Sequence, residues 1–210
     1  MTSLSGLLTI YPKDRLFEPI EKIALVIDAL GTAFTVMQTG RVLAKLGDYA
    51  GVEAKLFCME VRIPLTVPLL AVVKNLNVDY IQIGFDPRNN LSTPLGKVEG
   101  FNKILLGLIT PVYVDFIEKH RSWIRSAYGG DANAWPNLLN FARLVRNFIS
   151  HHGGRVHFDN SNAPSVAWHS LTYGPADEGK LAVGGDLFLG DMIILLVEVS
   201  HELDRLGCPL

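Results

Sequence analysis

The stretch NLLNFARLVRNFISHHGG, residues 137–154, decides how the rest of the chain is read. Leu138, Leu139, Ala142, Val145, Phe148 and Ile149 recur at three- and four-residue spacing, the period of one helix face. The helix begins near Ala134, with Asp131 or Asn133 as cap candidates and Pro136 tolerated in the first turn. Gly153-Gly154 stops it, as a left-handed C-terminal cap does.

Outward from this helix, the same period recurs. Residues 98–127 place Phe101, Leu105, Leu108, Ile109, Val112, Phe116 and Ile124 at helical spacing, with Pro111 expected to kink the run. Gly129-Gly130-Asp131 reads as the turn that follows. Downstream, residues 155–158, 166–173 and 180–183 read as short strands. Asp186 or Asp191 then opens a last helix, residues 192–206, whose face is Ile193, Leu196, Val197 and Leu203. Residues 16–46 carry Ile20, Ile23, Ala24, Ile27, Leu30, Phe34, Met37, Val42, Leu43 and Leu46 at helical spacing. Gly31 and Gly40 weaken that run, so it reads as one kinked helix or two short ones, ended by Gly47. Between residues 61 and 94, Pro64, Pro68, Pro87 and Pro94 break helices while residues 78–85 alternate like a strand. The expected fold is mainly α: a helical bundle with a small β element before the last helix and an irregular or β-containing insertion around 61–94. Residues 1–97 form an N-terminal helical segment plus that insertion, packed on the same core, and residues 98–210 the bundle.

Composition narrows the function classes. Apolar residues make up 49% of the 210 residues, and the mean hydropathy is +0.25. The uncharged apolar stretches at residues 29–40, 63–73 and 104–114 are interrupted by Gly or Pro and fall short of the roughly 18–20 residues of a membrane span. The first ten residues lack a cationic start and a small-residue cleavage site. The reading is a soluble cytoplasmic protein with no membrane partner, its apolar excess hinting at oligomerisation. Cys58 and Cys208 are too isolated for a disulfide framework or a thiolate zinc site. The net charge of −2 offers no overall attraction for nucleic acid, yet residues 119–155 hold six cations against the single acid Asp131.

The chemistry-bearing string is Arg143-Leu144-Val145-Arg146-Asn147-Phe148-Ile149-Ser150-His151-His152. Asn147 and His151 are four apart and share a helix face with Arg143. Arg146 lies about 140° around an ideal helix from His151, so its side chain must reach around, or the last turn must loosen, for the two to meet. Histidine is the side chain suited to acid–base work near neutral pH. Arginine offers a planar donor fork for phosphate.

Arg146-Asn147-x-x-x-His151, closed by Gly-Gly and followed by a further helix, resembles the signature of HEPN domains, small helical bundles many of which are RNases. The resemblance covers roughly residues 98–206. It implies a metal-independent endoribonuclease, a hydrolase similar to toxin and defence nucleases, working without cofactor. Arg146, Asn147 and His151 are then the catalytic group, with Arg143, His152 and Arg155 as RNA-binding residues. His151 serves as base or acid, Arg146 holds the phosphate, and Asn147 orients the imidazole or the ribose. The resemblance also implies a homodimer whose paired motifs line one cleft, and an antitoxin or other protein partner. A non-catalytic module binding RNA, a nucleotide or a protein is the alternative.

Plainer readings stand beside these. Arg146 can pair with an acid on a neighbouring helix, Asn147 can cap a loop, and His151 can satisfy orphan carbonyls at the helix end. His151, His152, His157 and His169 with Asp159 invite a metal site, but adjacent helical histidines diverge by about 100°. No His-x-x-x-His or His-Glu-x-x-His spacing exists, and His201-Glu202 is isolated. Ser150 lacks a nucleophile elbow, and Gly184-Gly185-Asp186 reads as a turn. Trp123, Trp135 and Trp168 read as core or interface residues.

Overall fold

The computed structural model describes residues 6–39, 49–64, 78–87 and 99–210. Four α-helices lie among them: α1 (Phe17–Thr39), α2 (Glu99–Tyr128), α3 (Asn137–His152) and α4 (Leu189–Arg205). Strands β1 (Gly6–Ile10), β2 (Tyr49–Ala54), β3 (Met59–Pro64) and β4 (Ile81–Pro87) form an antiparallel sheet in the order β1-β4-β3-β2. Strands β5 (Val166–Trp168) and β6 (Leu171–Tyr173) make a separate hairpin.

The four-stranded sheet overturns the mainly α expectation: the fold is mixed α/β, and the described parts of 61–94 supply the end of β3 and the whole of β4 to that sheet. Strand β4 lies inside the sheet, bonded to β1 on one side and β3 on the other. Alternation explains the sheet residue by residue. Val61 and Ile63 point into the core with Val52, Phe85, Ile83 and Ile10, while Glu60, Arg62, Asp86, Gln82 and Thr9 share the opposite face. On that face Arg62 pairs with Asp86, and Gln82 donates to the Thr9 hydroxyl at 3.2 Å.

Helix α1 lays Ile20, Ile23, Ala24 and Ile27 on the sheet and runs unbroken through Gly31. Gly40 and Gly47, where that helix was expected to weaken and end, lie outside the described residues. Helix α4 is the centre of the molecule. Every residue from Leu189 to Val197 is buried, as is expected of a helix apolar on all sides. It packs on β2 and β3 across one side and on α2 and α3 across the other. A Cβ at Gly190 would lie 2.6 Å from the Glu53 carbonyl oxygen, so only glycine allows this approach of helix to strand. One residue on, the buried Asp191 carboxylate accepts from its own helix end at Phe188 N (2.8 Å) and from Lys55 N (3.0 Å) and Leu56 N (2.9 Å) in the β2–β3 turn. That side chain ties the sheet to the last helix.

Helix α2 continues through Pro111. The proline removes the bond that Gly107 would accept from the residue 111 amide, and the Thr110 hydroxyl contacts that carbonyl at 3.5 Å instead. Before α3, Asp131 caps a 3₁₀ turn (Ala132–Ala134) by accepting from Asn133 N at 2.9 Å, and Pro136 takes the position just before α3. Gly153, at φ 58°, ends α3 in the left-handed conformation expected of it. Residues 155–158 and 180–183 form no strands; the isolated bridges Arg155–Leu181 and Val183–Leu187 replace them. The last helix begins at Leu189, with Asp191 in its first turn rather than before it. Trp135 and Trp168 are buried, and Phe141 of α3 stacks between Trp168 and Tyr173 of the hairpin. Among the described residues, no helix is long and apolar enough to cross a membrane.

Candidate active site

The C-terminal half of α3 carries the site because its other face is committed to the core. Leu144, Val145 and Phe148 are buried, which turns Arg146, Asn147 and His151 toward the surface. The helix keeps its regular winding through His152, so Arg146 meets His151 by the reach of its own side chain. Its Nη1 donates to Asn147 Oδ1 at 2.9 Å and lies 3.3 Å from His151 Nε2. A guanidinium only donates, so this contact uses the Nε2 lone pair, as in the neutral imidazole with its proton on Nδ1. Asn147 therefore touches the arginine rather than the histidine.

The other side of Arg146 faces α2. Its Nε lies 2.7 Å from Glu118 Oε1. The N–H bond is not aligned on that oxygen, so the contact is a charge pair rather than a directed hydrogen bond. Glu118 also faces Arg121 at 3.4 Å through both oxygens. Glu118, Arg121, Arg143, Arg146 and Asn147 line a crevice of about 10 Å³ floored by Leu139 and Ala142. That volume admits little more than one water, so a nucleotide would lie over the crevice rather than inside it. Arg143 donates from Nε to Asn140 Oδ1 at 3.0 Å. Burial, and after it the charge of Arg121, disfavours the Arg143 cation, which guanidinium basicity nonetheless keeps charged.

Past the helix stop lies a second group. His152 and His157 stack with ring centroids 4.0 Å apart and planes at 32°, and the His151 ring is 6.1 Å from that of His152. Glu178 holds His157 Nδ1 at 2.7 Å through one oxygen and accepts from Phe158 N at 3.1 Å through the other. Asp159 Oδ1 lies 3.4 Å from His157 Nε2. The hydrogen bond to Glu178 is the main cause that raises the His157 pKa above its ordinary 6.5, and the same bond holds the Glu178 carboxyl below its usual range.

The structure thus brings Arg143, Arg146, Asn147 and His151 to one surface and places His152 beside it. Arg155 instead donates to the Gly179 carbonyl at 2.8 Å, pinning the segment that carries Glu178. His169 is held by Glu198 Oε1 at 2.8 Å, with Trp168 Nε1 on the other Glu198 oxygen at 2.7 Å. His201 is exposed on α4. Among the described residues, no three His, Cys, Asp or Glu side chains are arranged to hold a metal ion. Sequence reasoning passed over Glu118, Arg121 and Glu178 as site residues, and reached His157 only as a candidate metal ligand. Glu118 immediately precedes the cation-rich segment 119–155 and pairs with two of its arginines, Arg121 and Arg146.

Comparison of the chain with protein-family models, with curated proteins and with solved structures yields no match.

Proposed function

We propose that the protein is a metal-independent endoribonuclease whose working group is Arg146, Asn147 and His151. The observation that carries this reading is the single guanidinium nitrogen shared between Asn147 Oδ1 and His151 Nε2 at the solvent-facing end of α3. An RNA phosphate arriving there offers Arg146 a charged, bidentate partner stronger than either neutral acceptor. As the guanidinium turns to the phosphate, the Nε2 lone pair of His151 is released to take the proton of the ribose 2′-OH. The cation then faces the charge that builds on the phosphorane, where fixed donors contribute most. Arg121 and Arg143 extend the positive surface for flanking phosphates. Pairing of two copies through this surface, as the HEPN resemblance implies, would set two His151 side chains along one RNA strand.

The test is cleavage of mixed cellular RNA in EDTA. Wild type is expected to leave 2′,3′-cyclic phosphate ends, and folded His151→Ala and Arg146→Ala proteins are expected to lose roughly 10²-fold or more in rate. Equal cutting by the variants would remove the assignment. A second reading, an RNA-binding module without turnover, is favoured by the Glu118 pair that partly neutralises Arg146. Salt-sensitive RNA binding by a wild type that cuts nothing would select it.

A further inference from the structure

Cleavage by transesterification needs an acid as well as a base, and Arg146 and His151 supply only the base and the phosphate contact. Within the same chain, the structure places a carboxylate-held imidazole next to them. His157 is fixed at Nδ1 by Glu178 at 2.7 Å, and Glu178 is itself anchored by Phe158 N, so the ring is oriented with Nε2 outward. Its position follows from the backbone: Gly153 and Gly154, at φ 58° and 79°, reverse the chain after α3 and bring His157 back onto His152. His151, His152 and His157 therefore form one contiguous group of rings.

We propose, on the ribonuclease reading above, that His157 held by Glu178 is the general acid of the reaction. His151 Nε2 accepts the 2′-OH proton as the O2′–P bond forms. His157 Nε2 gives its proton to O5′ as the P–O5′ bond breaks, leaving a 2′,3′-cyclic phosphate and a 5′-hydroxyl. The groups that face His157 fit this role. Glu178 and Asp159 favour the imidazolium, and Asp159 is fully exposed and free to move aside from Nε2. His152 stacked at 4.0 Å makes charging both rings together unfavourable, so the proton is concentrated on the ring that has the carboxylate. Among the described residues, no carboxylate is hydrogen-bonded to the ring of His151 or His152, and Glu178 gives its bond to His157. A homodimer would then bring extra binding surface rather than a missing acid.

The leaving group distinguishes this role from a structural one. A ribonucleoside 3′-(4-nitrophenyl phosphate) expels a stable anion that needs no protonation, whereas a dinucleotide expels an alkoxide that does. His157→Gln is expected to lose roughly 10²–10³-fold on the dinucleotide and less than about tenfold on the aryl ester. His151→Ala is expected to lose on both substrates. Glu178→Gln should move the alkaline limb of the dinucleotide pH–rate profile to lower pH, and it serves as the second variant should His157→Gln not fold by circular dichroism. Equal losses on the two substrates, or an unmoved alkaline limb, would overturn His157 as the acid while leaving the ribonuclease reading intact. A folded wild type that cleaves neither substrate would overturn both.

Discussion

At the scale of the residue, Arg146 is placed between two demands. Glu118 at 2.7 Å holds its Nε side, while Nη1 serves Asn147 and His151. The pair is half-buried and lacks a directed hydrogen bond, so its main effect is on where the guanidinium points and how much charge it presents. Glu118→Gln should therefore leave the fold intact, tighten RNA binding and steepen its salt dependence by about one phosphate contact. Fluorescence anisotropy of a labelled oligoribonucleotide against salt measures both quantities. Unchanged affinity and slope would show that Glu118 does not mask the site. The pairing also shows why an arginine five residues before a histidine says little by itself: its charge partner comes from another helix.

At the scale of the element, α2 has one side in the site and another in the core. Glu118 and Arg121 reach α3, while His120 between them is buried with Nδ1 against the Phe116 carbonyl at 2.8 Å. His120 Nε2 has no hydrogen-bond partner among the described residues, and burial lowers the His120 pKa below 6.5, with Arg15 and Lys119 acting the same way. A histidine with a depressed folded-state pKa binds fewer protons folded than unfolded. Stability from this group is complete above the unfolded value of about 6.5 and falls as pH drops from there toward the folded value. Thermal unfolding followed from pH 7.5 downward should show Tm declining through that window, and the decline should be shallower in His120→Phe. An identical slope in the variant would place the acid sensitivity elsewhere.

Helices were readable at this scale because their signal is local. The periodic runs at residues 98–127 and 137–154 correspond to α2 and α3 within a few residues, and the Gly153 stop is a conformation only a few residue types adopt readily. The alternation at residues 78–85 likewise marks β4, displaced by a few residues. Strands β1 and β2 were not read. Gly6-Leu7-Leu8-Thr9-Ile10 is too short to show a period, and Tyr49–Ala54 is diluted by Ala50 and Gly51. Gly51 has a tertiary reason: the Glu60 side chain lies where its Cβ would be.

At the scale of the whole molecule, one contiguous core runs from Ile10 through the sheet and α1 to α4, Phe148 and Tyr173. Asp191 is the polar fastening within it, accepting three backbone N–H groups from two parts of the chain more than 130 residues apart. Burial pushes its carboxyl upward against those three donors. Asp191→Ala leaves the N–H groups of Lys55 and Leu56 without their acceptor, at a cost of roughly 2–4 kcal/mol. Urea unfolding monitored by far-ultraviolet circular dichroism and by tryptophan fluorescence should show one coincident transition, moved to lower urea in the variant. Separate transitions for the two probes would show that the sheet and the helical layer unfold independently.

By itself the sequence determined the helices α2 to α4 and the glycine stop of α3, because helical periodicity and caps are written within a turn or two of chain. Tertiary structure alone decided the rest. The sheet order β1-β4-β3-β2 joins Ile10 to Ile81 across a long stretch of chain, and no local pattern encodes such a pairing. For the same reason Glu118 beside Arg146, and Glu178 holding His157, emerge only once separate segments have packed: charge pairs depend on distance in space, and their partners carry no shared period along the chain.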